Sequence, residues 1–229
     1  MSLIDRIGGA AGIGAALYLM FLPGCVCDLW LQETGPGIEI APETPTADIA
    51  RAFAANAEAT RTSAYIGLIA MFLLLVFFSR LHAALRDAAG PRAWVPTTSL
   101  LGGVLLAGVM TFNIGLDFAA SELADYGDET QALRFFPLWG WNAAALMSPL
   151  FALALFGTTS VAWSTQAFPQ WYRWVSTVLL VLLLLIAGIA RLPGLAIAPG
   201  MLWMFTTAVL LTVRNISPVN EHASTVPTT

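Results

Sequence analysis

The sequence predicts an all-α fold: a polytopic integral membrane protein built as a six-transmembrane-helix bundle. Three observations carry this. First, 58% of the 229 residues are hydrophobic and only 10% are charged, against roughly 25% charged in a typical soluble domain. Mean hydropathy is +0.75. Second, the apolar residues fall in six runs, each near the ~20 residues a helix needs to cross a ~30 Å hydrocarbon core. Third, those runs are continuously apolar. Barrel strands would alternate polar and apolar residues, so the closed barrel is excluded and helices remain.

The predicted spans are residues 7–27, 63–81, 97–119, 138–163, 174–190 and 195–213. The first resembles an apolar signal region, and Leu22-Pro23-Gly24-Cys25 resembles a lipoprotein cleavage box. Pro23 departs from that box and Asp5 offsets Arg6, so the segment is read as a retained helix that Pro23 kinks or ends. The second span follows outer loop 28–62, whose first part, TGPGIEIAPETPT, is rich in turn residues. Thr46 then starts an amphipathic helix, with Asp48 in its first turn and Ile49, Phe53 and Ala57 on one face. It is read as a surface cap, with a lid over an outward cavity as the alternative.

Outer loop 117–137 separates spans three and four. It reads as a short helix, a turn at Tyr126-Gly127-Asp128, and a second helical stretch. The fifth span holds the run VLLVLLLLIAGIA, the least ambiguous of the six. Residues 1–215 form one membrane domain, and residues 216–229 are a polar tail expected to be flexible and cytoplasmic.

All ten basic residues are arginines. Six of them, Arg6, Arg80, Arg86, Arg92, Arg173 and Arg214, fall on one side of a six-span model. Most of the 14 acids fall on the other. The positive-inside rule therefore puts both termini in the cytoplasm, in the inner membrane of a bacterium. Lysine-free, Ala- and Gly-rich composition is the basis for the bacterial source. A net charge of -4 excludes general attraction for nucleic acid. The lipid bilayer is the expected partner.

Aromatic residues cluster at span ends: Phe135, Phe136, Trp139 and Trp141 on the outer side, Trp163, Trp171, Tyr172 and Trp174 on the inner. They read as interfacial belts. Small residues recur every four positions at Gly8, Gly12 and Ala16, at Gly103 and Ala107, and at Gly140, Ala144 and Ser148. Such faces serve close helix packing within the chain, or contact with a membrane-protein partner or a homodimer.

Chemistry-bearing motifs are sparse. There is no P-loop, HExxH or GxSxG, so no catalytic residue and no cofactor is assigned. His82 and His222 are the two histidines, too few and too far apart for a bis-histidine haem. Cys25 and Cys27 form a CxC that lacks a third soft-metal ligand and is read as packing, so no metal is assigned. The best candidates for a binding site are polar groups inside or beside the spans, because such groups are costly in lipid and face the bundle interior. Asn113 and Asp117 at the end of span three, with Trp139 and Asn142 at the start of span four, form a candidate outward-facing pocket. A structural clamp between Asn113 and Asn142 is the simpler alternative.

The six spans, the long outer loop and the stretch FAANAEATRTSAYIGLIAMFLLLVFFSRLHAALRDAAG resemble a bacterial membrane family known as domain-of-unknown-function family 4386. The resemblance implies a six-span fold over nearly the whole chain. It transfers no functional residue, and it leaves the CxC and the acidic loops without a family counterpart. The expected role is a non-enzymatic accessory or ligand-sensing component. The alternatives are a small-molecule or lipid transporter with an outward-facing polar pocket, and an intramembrane lipid-modifying enzyme.

Overall fold

A computed structural model describes residues 3–21, 57–90, 94–127, 129–188 and 197–213. Within them the chain is helical throughout: α1 (Leu3–Phe21), α2 (Ala57–Ala89), α3 (Trp94–Asp125), α4 (Glu129–Thr165), α5 (Gln170–Gly188) and α6 (Ile197–Val213). Four helices are long and apolar enough to cross a membrane, at Arg61–Ala89, Trp94–Leu116, Leu146–Thr165 and Gln170–Ala187. The apolar parts of α1 and α6, Ile7–Leu17 and Ala198–Val213, are shorter.

Each helix packs on its sequence neighbour, and α1 packs on α6, so the six close into a ring. Short connections enforce antiparallel neighbours. The α2–α3 turn contains Gly90 at φ 58° and the α3–α4 turn contains Gly127 at φ 79°. A left-handed glycine lets a helix stop and the chain reverse at little steric cost. The register follows from side-chain pairs. Tyr65 meets Phe118 at the end of the α2–α3 pair away from Gly90, and a Cβ added at Gly103 would touch Phe78 nearer the turn. Ser99 bonds Thr158 between α3 and α4. Gly9 of α1 abuts Thr212 of α6, so the start of α1 and the end of α6 lie at the same end of the bundle.

The helices run beyond the predicted spans. α2 extends past residues 63–81 at both ends, and α3 and α4 project through most of what hydropathy reads as an outer loop. The turn between them does fall at Tyr126 and Gly127. A helix satisfies its own backbone, so it continues into water where hydropathy stops. Residues 22–56 lie outside the described residues, and so do Cys25, Cys27 and most of the predicted amphipathic segment. Its last part, from Ala57, is the first turn and more of α2.

The core is built from large side chains set against small ones. Leu74, Phe77, Phe78, Leu81 and Leu85 of α2 are fully buried at three- and four-residue spacing. Ile66, Ile69 and Phe72 of the same helix point outward, as a lipid-facing side requires. The small-residue faces receive these side chains. A methyl placed on Gly12 would lie 2.3 Å from the Phe77 ring, and on Gly103 2.1 Å from the Phe78 ring. These two faces are occupied from within the chain.

Candidate functional site

The end of the bundle at the α3–α4 turn is organised by charge. Arg61, one turn into α2, sits against two acids on the last turns of α3. Its Nε donates to Glu122 Oε1, and its Nη2 donates to Asp125 Oδ2 at 2.7 Å. A two-acid clamp on one guanidinium fixes both direction and register. It also explains why an arginine stands on the acidic side of the chain. The pairing is readable in principle: counting outward equally from the α2–α3 turn brings Arg61 to Glu122 and Tyr65 to Phe118. Reversing the charge at Arg61 to Glu is expected to lower the melting temperature in detergent. The combination of Arg61→Glu with Glu122→Arg and Asp125→Arg should recover most of it, as differential scanning fluorimetry can show.

Of the four predicted pocket residues, Asn113 is the one whose side chain is described. It is 8% exposed, and its Nδ2 donates to the Val109 carbonyl one turn back at 2.8 Å. That bond engages one amide N–H within its own helix. Asp117 lies on α3, and Trp139 and Asn142 lie on α4. Their side chains are outside the described residues. The backbones that carry them belong to neighbouring helices.

The half of the α3–α4 seam nearer the α2–α3 turn is closed. A methyl on Gly102 would lie 2.5 Å from Ala154 N, and one on Gly157 would lie 2.6 Å from Ser99 N and 2.8 Å from Val95 O. Here α3 and α4 touch backbone to backbone. Ser99 and Thr158 hydroxyls bond each other at 3.1 Å, and Thr158 also donates to Ala154 O. Ser148, on the other side of α4, donates to the Leu183 carbonyl of α5 at 2.7 Å.

A second buried polar group links α5 to α6. Tyr172 Oη lies 2.6 Å from Thr207 Oγ1 and accepts Trp203 Nε1–H at 3.1 Å, while Thr207 donates to the Trp203 carbonyl. Trp203 packs on Phe78 of α2, and Tyr172 stacks on Phe168. All three polar residues are buried. This corrects the belt assignment for Tyr172, which is a core residue. Trp163, Trp171 and Trp174 are exposed, as an interfacial belt requires. Trp163 donates to Thr177 Oγ1 and meets the Trp174 ring edge-on.

His82 is half-buried on α2, and its Nδ1 has no hydrogen-bond partner among the described residues. Among the described residues no three His, Cys, Asp or Glu side chains come together as a metal site. Comparison with family models, curated proteins and solved structures finds no match to this chain.

Proposed function

We propose that this chain is a six-span protein of the bacterial cytoplasmic membrane with both termini in the cytoplasm. In this reading it is a non-enzymatic accessory or ligand-sensing component, related to domain-of-unknown-function family 4386. A ligand would enter from the outer side, between α3 and α4, at Asn113, Asp117, Trp139 and Asn142. The observation that carries the reading is the asymmetry of the α3–α4 seam. Its inner half is shut by the contacts at Gly102 and Gly157 and by the Ser99–Thr158 bond. Asn113, Asp117, Trp139 and Asn142 all lie toward its other end. A seam closed at one end favours sensing over transport, since transport needs a path that opens to both sides.

A thermal-shift screen of small polar solutes tests this. A ligand should raise the melting temperature of the wild type by an amount set by its concentration over Kd. Asn142→Ala should abolish that shift and leave the unliganded melting temperature nearly unchanged. Ligands that stabilise wild type and variant equally would place binding elsewhere.

A further inference from the structure

We infer that the α4–α5 seam is a binding site for one anionic glycerophospholipid. The phosphate would sit at Arg173 and one acyl chain would lie in the groove that runs away from it. The site is distinct from the α3–α4 pocket and does not depend on it.

The groove is an apolar cavity of about 240 Å³ lined by Pro149, Ala152, Leu153 and Phe156 of α4 and by Leu180 and Leu184 of α5. It opens to the side of the bundle, where Phe156 and Leu184 are 44% and 56% exposed. Its residues share helix faces with a polar cluster at the α4–α5 turn. On α5, Arg173, Thr177, Leu180 and Leu184 follow one another at intervals of four, three and four residues, which is one face of a helix. On α4, Pro149, Phe156 and Trp163 follow at intervals of seven. The apolar groove and the Arg173–Trp163 cluster are thus two ends of one seam.

The cluster is suited to an anion at the membrane surface. The Arg173 guanidinium carbon lies 5.2 Å from the centre of the Trp163 ring. Trp163 is itself held by its bond to Thr177. The Arg173 side chain is part-exposed, its Nε is buried without an acceptor, and among the described residues no carboxylate pairs with it. Contrast Arg61, which is neutralised by two acids. A cation stacked on an aromatic ring keeps its charge and its donors for another partner. Trp171 and Trp174, both exposed, flank it at headgroup depth. From Arg173 to Leu184 the helix rises about 16 Å, close to half of a ~30 Å hydrocarbon core. The seam therefore spans one leaflet, from headgroup to bilayer centre. Basic pockets between helices at such a depth recognise lipid phosphates.

Native mass spectrometry of the full chain in mild detergent, with equal dioleoyl phosphatidylglycerol and dioleoyl phosphatidylcholine, tests the inference. Wild type should retain one phosphatidylglycerol with about fivefold preference, the factor expected for one arginine near a membrane surface. Arg173→Gln should lose the preference, and Arg173→Lys should keep most of it. Leu184→Trp, on an exposed wall of the groove, should reduce phosphatidylglycerol retention with Arg173 intact. If Arg173→Gln does not fold, the lysine and tryptophan variants decide the matter. Equal retention of the two lipids by wild type would overturn the inference, and so would an undiminished preference in Arg173→Gln. Unchanged retention in Leu184→Trp would also overturn it. A lipid-free dimer that Leu184→Trp splits would do the same, by assigning the face to a second copy of the chain.

Discussion

Replacing Gly102 with leucine is expected to cost about 3 kcal/mol or more, the upper range for overpacking. The cause is backbone, not side chain. A methyl at this position already lies 2.5 Å from Ala154 N and 2.9 Å from its Cα. Neither atom belongs to a flexible group, so α3 and α4 must part. Parting breaks the Ser99–Thr158 bond a turn away and leaves two hydroxyls in an apolar interior. Gly102→Ala should cost about 1–3 kcal/mol by the same route. Gly157→Ala, facing Ser99 N and Val95 O from the other helix, should match it. Gly108 and Gly115 lie on the same helix as Gly102, and a methyl there would meet nothing within 4 Å. Alanine at either should be neutral or stabilising by up to ~1 kcal/mol through helix propensity. Unfolding in mixed micelles would read all five variants. Opposite signs within one helix separate a contact effect from a general dislike of alanine.

The second large effect is expected at Trp203. Its ring is 1% exposed, touches Phe78, and donates to Tyr172. Trp203→Ala removes the largest fully buried side chain among the described residues and leaves the Tyr172 hydroxyl without its Trp203 donor. The expected loss is about 3–5 kcal/mol. Tyr172→Phe isolates the polar part. It keeps the ring stacked on Phe168 and deletes the acceptor for Trp203 Nε1–H, at about 1–3 kcal/mol. Trp203→Phe should fall between the two, because it keeps bulk and loses the donor that Tyr172 accepts. Near-UV circular dichroism should report the loss of the fixed Trp203 environment in each variant.

The apolar runs were legible because lipid leaves little choice: a long unbroken run must be a helix. The turn at Gly127 was legible because an acidic, glycine-bearing break between helical stretches has few other readings. The helix ends were not, since hydropathy measures where lipid stops and not where hydrogen bonding does. α2 begins at Ala57, and α4 carries polar residues from Glu129 on. Tyr172 misled for a different reason. Its amphipathic ring suits either a wet interface or a buried hydroxyl partner. The partner, Thr207, stands 35 residues away on another helix. Only the α5–α6 register decides between these, and spacing along the sequence does not supply it. At the candidate site, Asn113 is buried, as an interior polar residue should be, and it donates to the Val109 carbonyl of its own helix. The small-residue faces at Gly12 and Gly103 were legible as close-packing faces. Their partners, Phe77 and Phe78 from α2, were not.

The central claim is that the ring of six helices crosses the bilayer six times and returns both termini to the arginine-rich side. Single cysteines in a background with Cys25 and Cys27 replaced by serine test it directly. They would be placed at Arg86, Asp125 and Thr229, and labelled with a membrane-impermeant maleimide. Intact spheroplasts should label Asp125→Cys and leave Arg86→Cys and Thr229→Cys unlabelled until the membrane is opened. Labelling of Arg86→Cys as readily as Asp125→Cys would contradict the orientation. Labelling of Thr229→Cys together with Asp125→Cys would contradict the three crossings between them.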